Sequence, residues 1–313
     1  MRGASLFVTI VTEPRAGLFG RVVNAAVELS PLGQVVAESL ASMPRRVPGV
    51  ALYGWVVMPD HIHCRVHLRA GLEKPLETLG AFFSRFKSYT TRCSWDHGRK
   101  GKLWQQGYHD RLCSTRPFIE SVERYIHYNP LKYELGYNQP DFLRIREPLD
   151  AARLDPETFW KGVGNERLLD ADRLLLGLRV SRRLDSPGQI VRVVSRCRDA
   201  AAAGYTVVSG FISPGEKAVR DALIAMPGAS LVQILPDAMP HGYVPDSLYL
   251  EAIRDWRVLI LAKGNEEAPF SRALCDALNG DVVDIASAGQ GLAVYWTPEG
   301  AQRQSPAPKM PNP

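Results

Sequence analysis

The chain has 313 residues, of which 45% are hydrophobic and 23% are charged, an ordinary composition that excludes a disordered, collagen-like or coiled-coil protein. No apolar run approaches the roughly 20 residues of a membrane span, so we expect no membrane partner. The formal net charge of +5 belongs to the first half, since residues 1–150 carry 20 basic and 14 acidic side chains (+6) and residues 151–313 carry 18 and 19 (−1). This basic excess weakly favours a nucleic-acid partner for the first half.

Five cysteines are scattered along the chain, and none forms a Cys-x-x-Cys pair. We therefore expect neither a disulfide framework nor a zinc ribbon, and a reducing, cytoplasmic location. The N-terminus is β-branched from Ser5 to Thr12 and has no small-residue cleavage site, so it predicts a first strand rather than a signal peptide.

The first half alternates β-rich stretches with amphipathic helical stretches. Strands are predicted over 5–12, 20–29 (as a short pair), 50–58, 62–68 and 103–113. Helices are predicted over 31–43, 74–92 and 116–129, and the last one ends before Pro130 because proline usually stops a helix. This alternation favours an α+β sandwich with an antiparallel sheet.

The second half has short, nearly continuous apolar runs separated by helical stretches. The runs lie at 174–180, 205–209, 231–235, 258–262 and 282–285, and the helices at 189–203 and 213–226. Buried parallel strands have this pattern, so an α/β Rossmann-like layer is predicted. The predicted domains cover 1–140 and 173–292, with a connector over 141–172 and a disordered, proline-rich tail over 293–313.

The stretch VVMPDHIHCRVHL, residues 56–68, is the most informative part of the chain. In a strand, alternate side chains point to opposite faces, so the apolar residues form a core face: Ile62, Cys64, Val66 and Leu68. The other face then carries His61, His63, Arg65 and His67. Two imidazoles at i and i+2 can reach one divalent ion. A solvated, histidine-rich strand face explains the pattern equally well.

Two further motifs each have a functional and a structural interpretation. Tyr125 and Asn129 lie four residues apart on one face of a predicted helix, although a core tyrosine and a helix-ending asparagine explain them more simply. In LWQQGYHD, Trp104 and Tyr108 either pack in the core or stack on bases. The basic residues around that motif either contact phosphates or are merely solvated: Arg99, Lys100, Lys102 and Arg111.

The order of these motifs is a β-rich start, MPDHIH, a basic amphipathic helix, LWQQGYHD and YIHYNP. Over residues 3–137 this order resembles the single-tyrosine HUH transposases of the insertion-sequence-200 type, and more narrowly their REP-associated tyrosine transposase branch. The resemblance implies a ferredoxin-like antiparallel sheet, often in a homodimer, that binds single-stranded or hairpin DNA.

The resemblance also implies a chemistry. Tyr125 matches the nucleophile that forms a 5′-phosphotyrosine and frees a 3′-hydroxyl. His61 and His63 match the ligands of a Mg²⁺ or Mn²⁺ ion, and Asn129 stands where relatives carry a third, amide ligand. We expect the DNA backbone to lie along a basic helix face and the nearby motif: Arg85, Lys87, Arg92, Lys102, Trp104 and Arg111.

In the second half, YTVVSGFISPGEKAV places a glycine turn before a helix N-terminus, an arrangement that favours phosphate binding. Together with RVLILAKG, residues 170–290 resemble the SLOG superfamily, which includes DNA-processing protein A. This implies a nucleotide or single-stranded DNA ligand near Ser181, Arg182, Ser209, Gly210 and Ser213. A structural α/β domain that only mediates assembly is an equal alternative, and Glu216 is either a catalytic acid or a carboxylate that stabilises its helix N-terminus.

We therefore expect metal-dependent cleavage and strand transfer of single-stranded DNA, with a second domain that binds a nucleotide or DNA. Two rival functions remain. One is a non-catalytic regulator that binds hairpin DNA on the same fold, and the other is a nucleotide-processing enzyme whose activity lies in the second half.

Overall fold

The computed structural model describes residues 3–240, 242–264 and 271–304. The chain divides into two compact units, residues 1–139 and 140–313. Across the described residues, no helix is both long enough and apolar enough to cross a membrane.

The N-terminal unit contains a four-stranded antiparallel sheet. Its strands are β1 (Ala4–Val11), β4 (Val50–Val57), β5 (His61–Leu68) and β6 (His109–Leu112), in the spatial order β4-β5-β1-β6. A separate hairpin joins β2 (Gly20–Val23) to β3 (Ala26–Leu29). The helices are α1 (Pro31–Arg46), α2 (Pro75–Asp96) and α3 (Arg116–Tyr133). If the hairpin and α3 are left out, the remaining elements follow one another as strand–helix–strand–strand–helix–strand, which is the order of a ferredoxin-like fold. The predicted ferredoxin-like sheet is therefore confirmed.

The two faces of this sheet are covered differently. One face packs under α1 and α2, where the alternate side chains Leu6, Val8 and Ile10 of β1 are buried. The opposite face packs under α3, through Val122 and Ile126 against side chains of β1 and β4. Both faces are therefore buried, so polar residues of β5 are covered by a helix rather than by water.

Two local details of the N-terminal unit differ from the prediction. The helix α3 passes through Pro130 to Tyr133 and continues as a π-helical turn, Glu134–Asn138. Pro130 removes one backbone hydrogen bond. Leu131 in α3 and Leu135 in the π-helical turn are both buried, and this burial keeps the chain helical. The predicted strand over 103–113 is shortened to β6, because Gly107 turns the chain with φ of 70°.

The C-terminal unit contains a seven-stranded sheet. Its five central strands are parallel, in agreement with the predicted Rossmann-like layer, and the strand at each edge is antiparallel to its neighbour. Its order is β13-β12-β8-β9-β10-β11-β7. The strands are β7 (Trp160–Gly164), β8 (Leu175–Val180), β9 (Thr206–Ser209), β10 (Leu231–Ile234), β11 (Val258–Lys263), β12 (Gly291–Thr297) and β13 (Gly300–Gln304). The helices are α4 (Pro187–Ala202), α5 (Pro214–Ile224), α6 (Leu250–Arg254) and α7 (Arg272–Ser287).

Three predictions for this unit need correction. The apolar run 282–285 lies inside α7, because a short buried run has no periodicity that separates strand from helix. The predicted connector 141–172 contains the edge strand β7. The predicted disordered tail 293–313 contains most of β12 and all of β13, since the β-branched and aromatic side chains of GLAVYWT pair with β8. Residues 305–313 lie outside the described residues.

Candidate active site

The histidine pair lies on the face of β5 that α3 covers. His61 pairs across the sheet with Val11, and His63 with Thr9. The rings are buried, with only 8% of His61 and 6% of His63 exposed. The predicted alternation of β5 is therefore present, whereas the alternative of a solvated polar face is wrong. The two ring centroids lie 4.6 Å apart.

Each histidine is oriented by a hydrogen bond at the same ring nitrogen. His61 Nδ1 lies 2.6 Å from Asp60 Oδ1, and His63 Nδ1 lies 2.9 Å from Thr9 Oγ1. Arg15 Nε donates to Asp60 Oδ2 at 2.5 Å and so holds the carboxylate in place. These contacts leave the Nε2 atom of both rings for a further ligand. In metal sites, the ring nitrogen of a histidine that does not bind the metal is commonly hydrogen-bonded in the same way.

The surroundings of His63 favour the neutral form of its imidazole. The pKa of His63 is lowered to about 3, mainly by burial and in smaller part by the positive charges of His61 and Lys132. Burial by itself would raise the pKa of Asp60, but the hydrogen bonds with His61 and Arg15 outweigh it and keep that pKa below its usual value. His63 is therefore neutral at physiological pH, the form that binds a metal ion.

Helix α3 brings Tyr125 to these histidines. The helix begins at Thr115, whose hydroxyl accepts a hydrogen bond from Phe118 N, with a proline in its first turn. The Tyr125 ring centroid lies 5.2 Å from that of His63, and Lys132 Nζ lies 5.2 Å from the centre of the tyrosine ring. Asn129, one helical turn further on, is 6% exposed. Residues that are distant in sequence thus form one small cluster.

The donor set of this cluster fits a divalent ion. Two imidazole Nε2 atoms and the amide oxygen of Asn129 are nitrogen and oxygen donors of the kind that Mg²⁺ and Mn²⁺ accept, although oxygen donors predominate for Mg²⁺. Within the described ranges, no group of three or more His, Cys, Asp and Glu side chains could hold a metal. The Asn129 amide stays the predicted third ligand.

A partly buried ion pair fixes α3 on the sheet. Arg65, on the same face of β5 as the histidines, is 7% exposed, and its Nη2 donates to Glu123 Oε1 at 2.5 Å. Its guanidinium also lies 4.4 Å from the centre of the Tyr53 ring. Glu123 lies two residues before Tyr125, so this pair determines where the tyrosine lies along the sheet.

We expect Glu123→Ala to lower the free energy of unfolding by about 1–2 kcal/mol, because a buried charge loses its partner while the carboxylate was itself half-exposed. Urea unfolding followed by circular dichroism measures this. Glu120→Ala is the matched control on the same helix, since Glu120 pairs with an exposed arginine, Arg116. A loss for Glu120→Ala as large as that for Glu123→Ala would contradict the positioning role.

The C-terminal unit has a cavity of about 460 Å³ at the carboxyl ends of its strands. It lies where the strand order reverses between β8 and β12, the place where open α/β sheets bind ligands. Of the predicted ligand residues, Ser181, Arg182 and Ser213 line it. Ser209 and Gly210 do not: they are buried below it, and a Cβ at Gly210 would come within 2.3 Å of Leu278.

Sequence reasoning missed several residues that line this cavity. They come from β8, α7 and β12, and they include Arg179, Arg272, Cys275 and Tyr295. The adjacent run 282–285 had been taken for a strand, so the N-terminus of α7 was not recognised.

Glu216 has a structural role. Its carboxylate is 3% exposed and accepts hydrogen bonds from the backbone N–H groups of Val180, Ile212 and Ser213. Ser213 caps the same helix by accepting from Glu216 N, which completes a reciprocal cap. The interpretation as a helix-stabilising carboxylate is therefore the better one.

Comparison with known proteins finds a family that matches part of the N-terminal unit. Residues 34–129 match the family model described as Transposase IS200 like. The matched segment contains the two histidines, Tyr125 and Asn129. It covers about a third of the chain, so the similarity to this family concerns this segment alone.

The known proteins that this chain resembles are distant. An uncharacterized protein of Haemophilus influenzae is 24% identical over 145 residues, which are 41% of this chain and 81% of that protein. A REP-associated tyrosine transposase bound to a REP hairpin is 20% identical, with a TM-score of 0.32, over 42% of this chain and 70% of its own. DNA processing protein A of Helicobacter pylori, described with a single-stranded DNA binding mode, is 17% identical, with a TM-score of 0.37, over 50% and 70%.

The basic residues expected along DNA are mostly exposed around the transposase segment. Arg85 and Arg92 lie on α2 and Arg111 on β6, while Lys102 lies in the loop between these elements. Arg111 lies over the Phe118 ring at 4.6 Å. Lys87 differs, because its Nζ donates to the carbonyls of Gln105 and Gly107 and so stabilises the loop before β6.

Trp104 is a core residue, which corrects its assignment to DNA. Its side chain is 4% exposed and packs against Phe19 and Phe86 with ring centroids 5.1 Å and 5.6 Å away. Its indole Nε1 donates to Thr90 Oγ1 at 2.8 Å. No face of the ring is available to a base, because both the apolar ring and its one polar atom have partners inside the protein.

Proposed function

We propose that the N-terminal unit cuts single-stranded DNA beside a hairpin and rejoins it, with one end held as a 5′-phosphotyrosine on Tyr125. The observation that carries this proposal is the approach of the Tyr125 ring to His63, whose ring centroids lie 5.2 Å apart, while His61 lies 4.6 Å from the same His63 ring. A tyrosine against an oriented imidazole pair that includes the neutral His63 has the composition of a phosphoryl-transfer site rather than of a packed core.

The tyrosine needs help because a phenol has a pKa of about 10 and is a weak nucleophile at neutral pH. A Mg²⁺ or Mn²⁺ ion held by His61, His63 and Asn129 would polarise the scissile phosphate and neutralise its charge. Lys132 adds a positive charge beside Tyr125 that attracts the same phosphate.

The chemical step is a transesterification. The phenol loses its proton, its oxygen bonds to phosphorus, and the bond from phosphorus to the 3′ oxygen breaks. The 3′ oxygen leaves and takes up a proton. Because one phosphodiester replaces another, a second 3′-hydroxyl can reverse the step and join a new strand without a nucleotide cofactor.

The exposed basic residues of this unit supply the electrostatic attraction to the DNA backbone. Arg85, Arg92, Lys102 and Arg111 would contact phosphates, which adds affinity without reading sequence. The C-terminal cavity would bind a nucleotide or a DNA phosphate, because Arg182 and two helix N-termini, those of α5 and α7, line it.

The test is incubation of an end-labelled hairpin oligonucleotide, with single-stranded flanks, in Mn²⁺ or in EDTA. We expect a covalent protein–DNA band on a denaturing gel in Mn²⁺ and none in EDTA. A retarded complex on a native gel, without any covalent band in Mn²⁺, would contradict strand transfer and favour the non-catalytic regulator. Turnover of a nucleotide without DNA would favour the nucleotide-processing enzyme.

A further inference from the structure

Two tyrosines form an exposed stacked pair just beyond the helix that carries Tyr125. The rings of Tyr133 and Tyr137 lie 4.5 Å apart with an interplanar angle of 15°. Tyr137 is 73% exposed, which is unusual for an aromatic side chain with no role at the surface. The pair spans the end of α3 and the π-helical turn, and π-helical turns are frequent at functional sites.

The backbone turn that carries this stacked pair is anchored to the β2–β3 hairpin. The carboxylate of Glu134, between the two tyrosines, accepts hydrogen bonds from the backbone N–H groups of Asn24 and Ala25. Those two residues form the tight turn of the β2–β3 hairpin, with φ of 51° and 60°. A surface aromatic that is fixed in advance loses little conformational entropy when a flat ligand stacks on it.

The stacked pair also lies beside the candidate active site. Arg15 bonds to Asp60, which in turn holds His61. The phenol groups of Tyr133 and Tyr137 lie near enough to Arg15 to interact with its charge. The Arg15 side chain is 64% exposed, so its charge is available to a phosphate between the tyrosines and the histidines.

The position along the helix fits the path of a strand. Tyr125, Asn129 and Tyr133 follow one another at intervals of four residues, so each lies about one turn beyond the last on neighbouring faces. Tyr133 is therefore about 12 Å along the helix axis from Tyr125. A strand whose phosphate lies at Tyr125 spans that separation with a few nucleotides.

We propose that Tyr133 and Tyr137 form a stacking platform for one unpaired base of the strand cut at Tyr125, with Arg15 contacting the phosphate next to it. This rests on the proposed function and names where the single-stranded flank lies. Aromatic faces accept any base, so the platform would add affinity and fix the strand's position without selecting its sequence.

The experiment measures the Kd of a fluorescent hairpin oligonucleotide with a single-stranded flank by anisotropy in EDTA, so that no cutting occurs. We expect Tyr137→Ala to weaken binding about tenfold and Tyr137→Phe to stay within about twofold of wild type, since the phenyl ring stacks equally well. Phe159→Ala is the control, because Phe159 is an exposed aromatic of the C-terminal unit that does not line its cavity.

An abasic scan of the flank locates the contact. One abasic position should weaken binding to wild type by the same factor as Tyr137→Ala, and the two changes together should add no further loss. Equal binding by wild type and Tyr137→Ala, an equal loss in Phe159→Ala, or fully additive losses at every abasic position would each overturn the platform.

A second measurement needs no variant. Flank oligonucleotides with 5-iodouracil at each position are irradiated with the wild-type chain, and the cross-linked peptide should contain Tyr133 or Tyr137. Cross-links confined to other peptides overturn the platform while covalent adduct formation in Mn²⁺ still supports strand transfer. Cross-linking at the tyrosines without any adduct would instead leave the platform standing and reject the transferase.

Discussion

Tyr125→Phe should abolish the covalent protein–DNA adduct while leaving hairpin binding intact. The substitution removes only the nucleophilic oxygen, and the ring still packs against His63 and Phe7. Loss of a nucleophile lowers the rate by at least about 10³-fold. Denaturing gels in Mn²⁺ measure the adduct, and anisotropy in EDTA measures binding.

The matched control for this substitution is Tyr128→Phe, which removes a phenol oxygen from the same helix one turn away. We expect it to form the adduct at close to the wild-type rate. An adduct that persists in Tyr125→Phe, or that disappears only in Tyr128→Phe, would move the nucleophile elsewhere and refute the assignment.

Trp104→Ala should destabilise the N-terminal unit by about 3–5 kcal/mol, the usual cost of truncating a buried tryptophan. The cavity would lie between Phe19 and Phe86, and Thr90 would lose the indole donor. Such a loss is a large part of the roughly 5–15 kcal/mol that stabilises a domain. Urea unfolding, extrapolated to zero denaturant, measures it.

Trp95→Ala provides the comparison, because Trp95 lies on α2 but is 52% exposed. Its indole donates to Gly101 O, so we expect a loss of about 1 kcal/mol. A Trp104→Ala protein that is as stable as wild type but binds hairpin DNA weakly would show that the indole contacts bases after all.

The amino-acid sequence by itself was enough to predict the parts of the fold that depend on local periodicity. The alternation on β5 places His61 and His63 on one face because strand side chains alternate strictly. The apolar stripes of α1, α2 and α3 predicted these helices to within a few residues. The four-residue spacing of Tyr125 and Asn129 likewise follows from helical geometry alone.

Prediction from the local sequence pattern failed where a strand and a helix, or a core residue and a ligand contact, give the same pattern. The run 282–285 is apolar in both a buried strand and a buried helix, and only packing against β8 and β12 makes it part of α7. Trp104 had the same ambiguity, since an indole suits a core as well as a base. Its neighbours Phe19 and Phe86 come from distant parts of the chain, so the residues around Trp104 in the sequence do not predict these contacts.

The site itself was decided by the tertiary structure. Sequence spacing put His61 beside His63, but the antiparallel pairing of β1 and β5 supplied Thr9, and the fold of the 12–15 loop supplied Arg15. The docking of α3 through Arg65 and Glu123 brought Tyr125 to the histidines. A strand determines the direction of its own side chains, whereas the helix that covers them is chosen by burial and charge pairing across the whole unit.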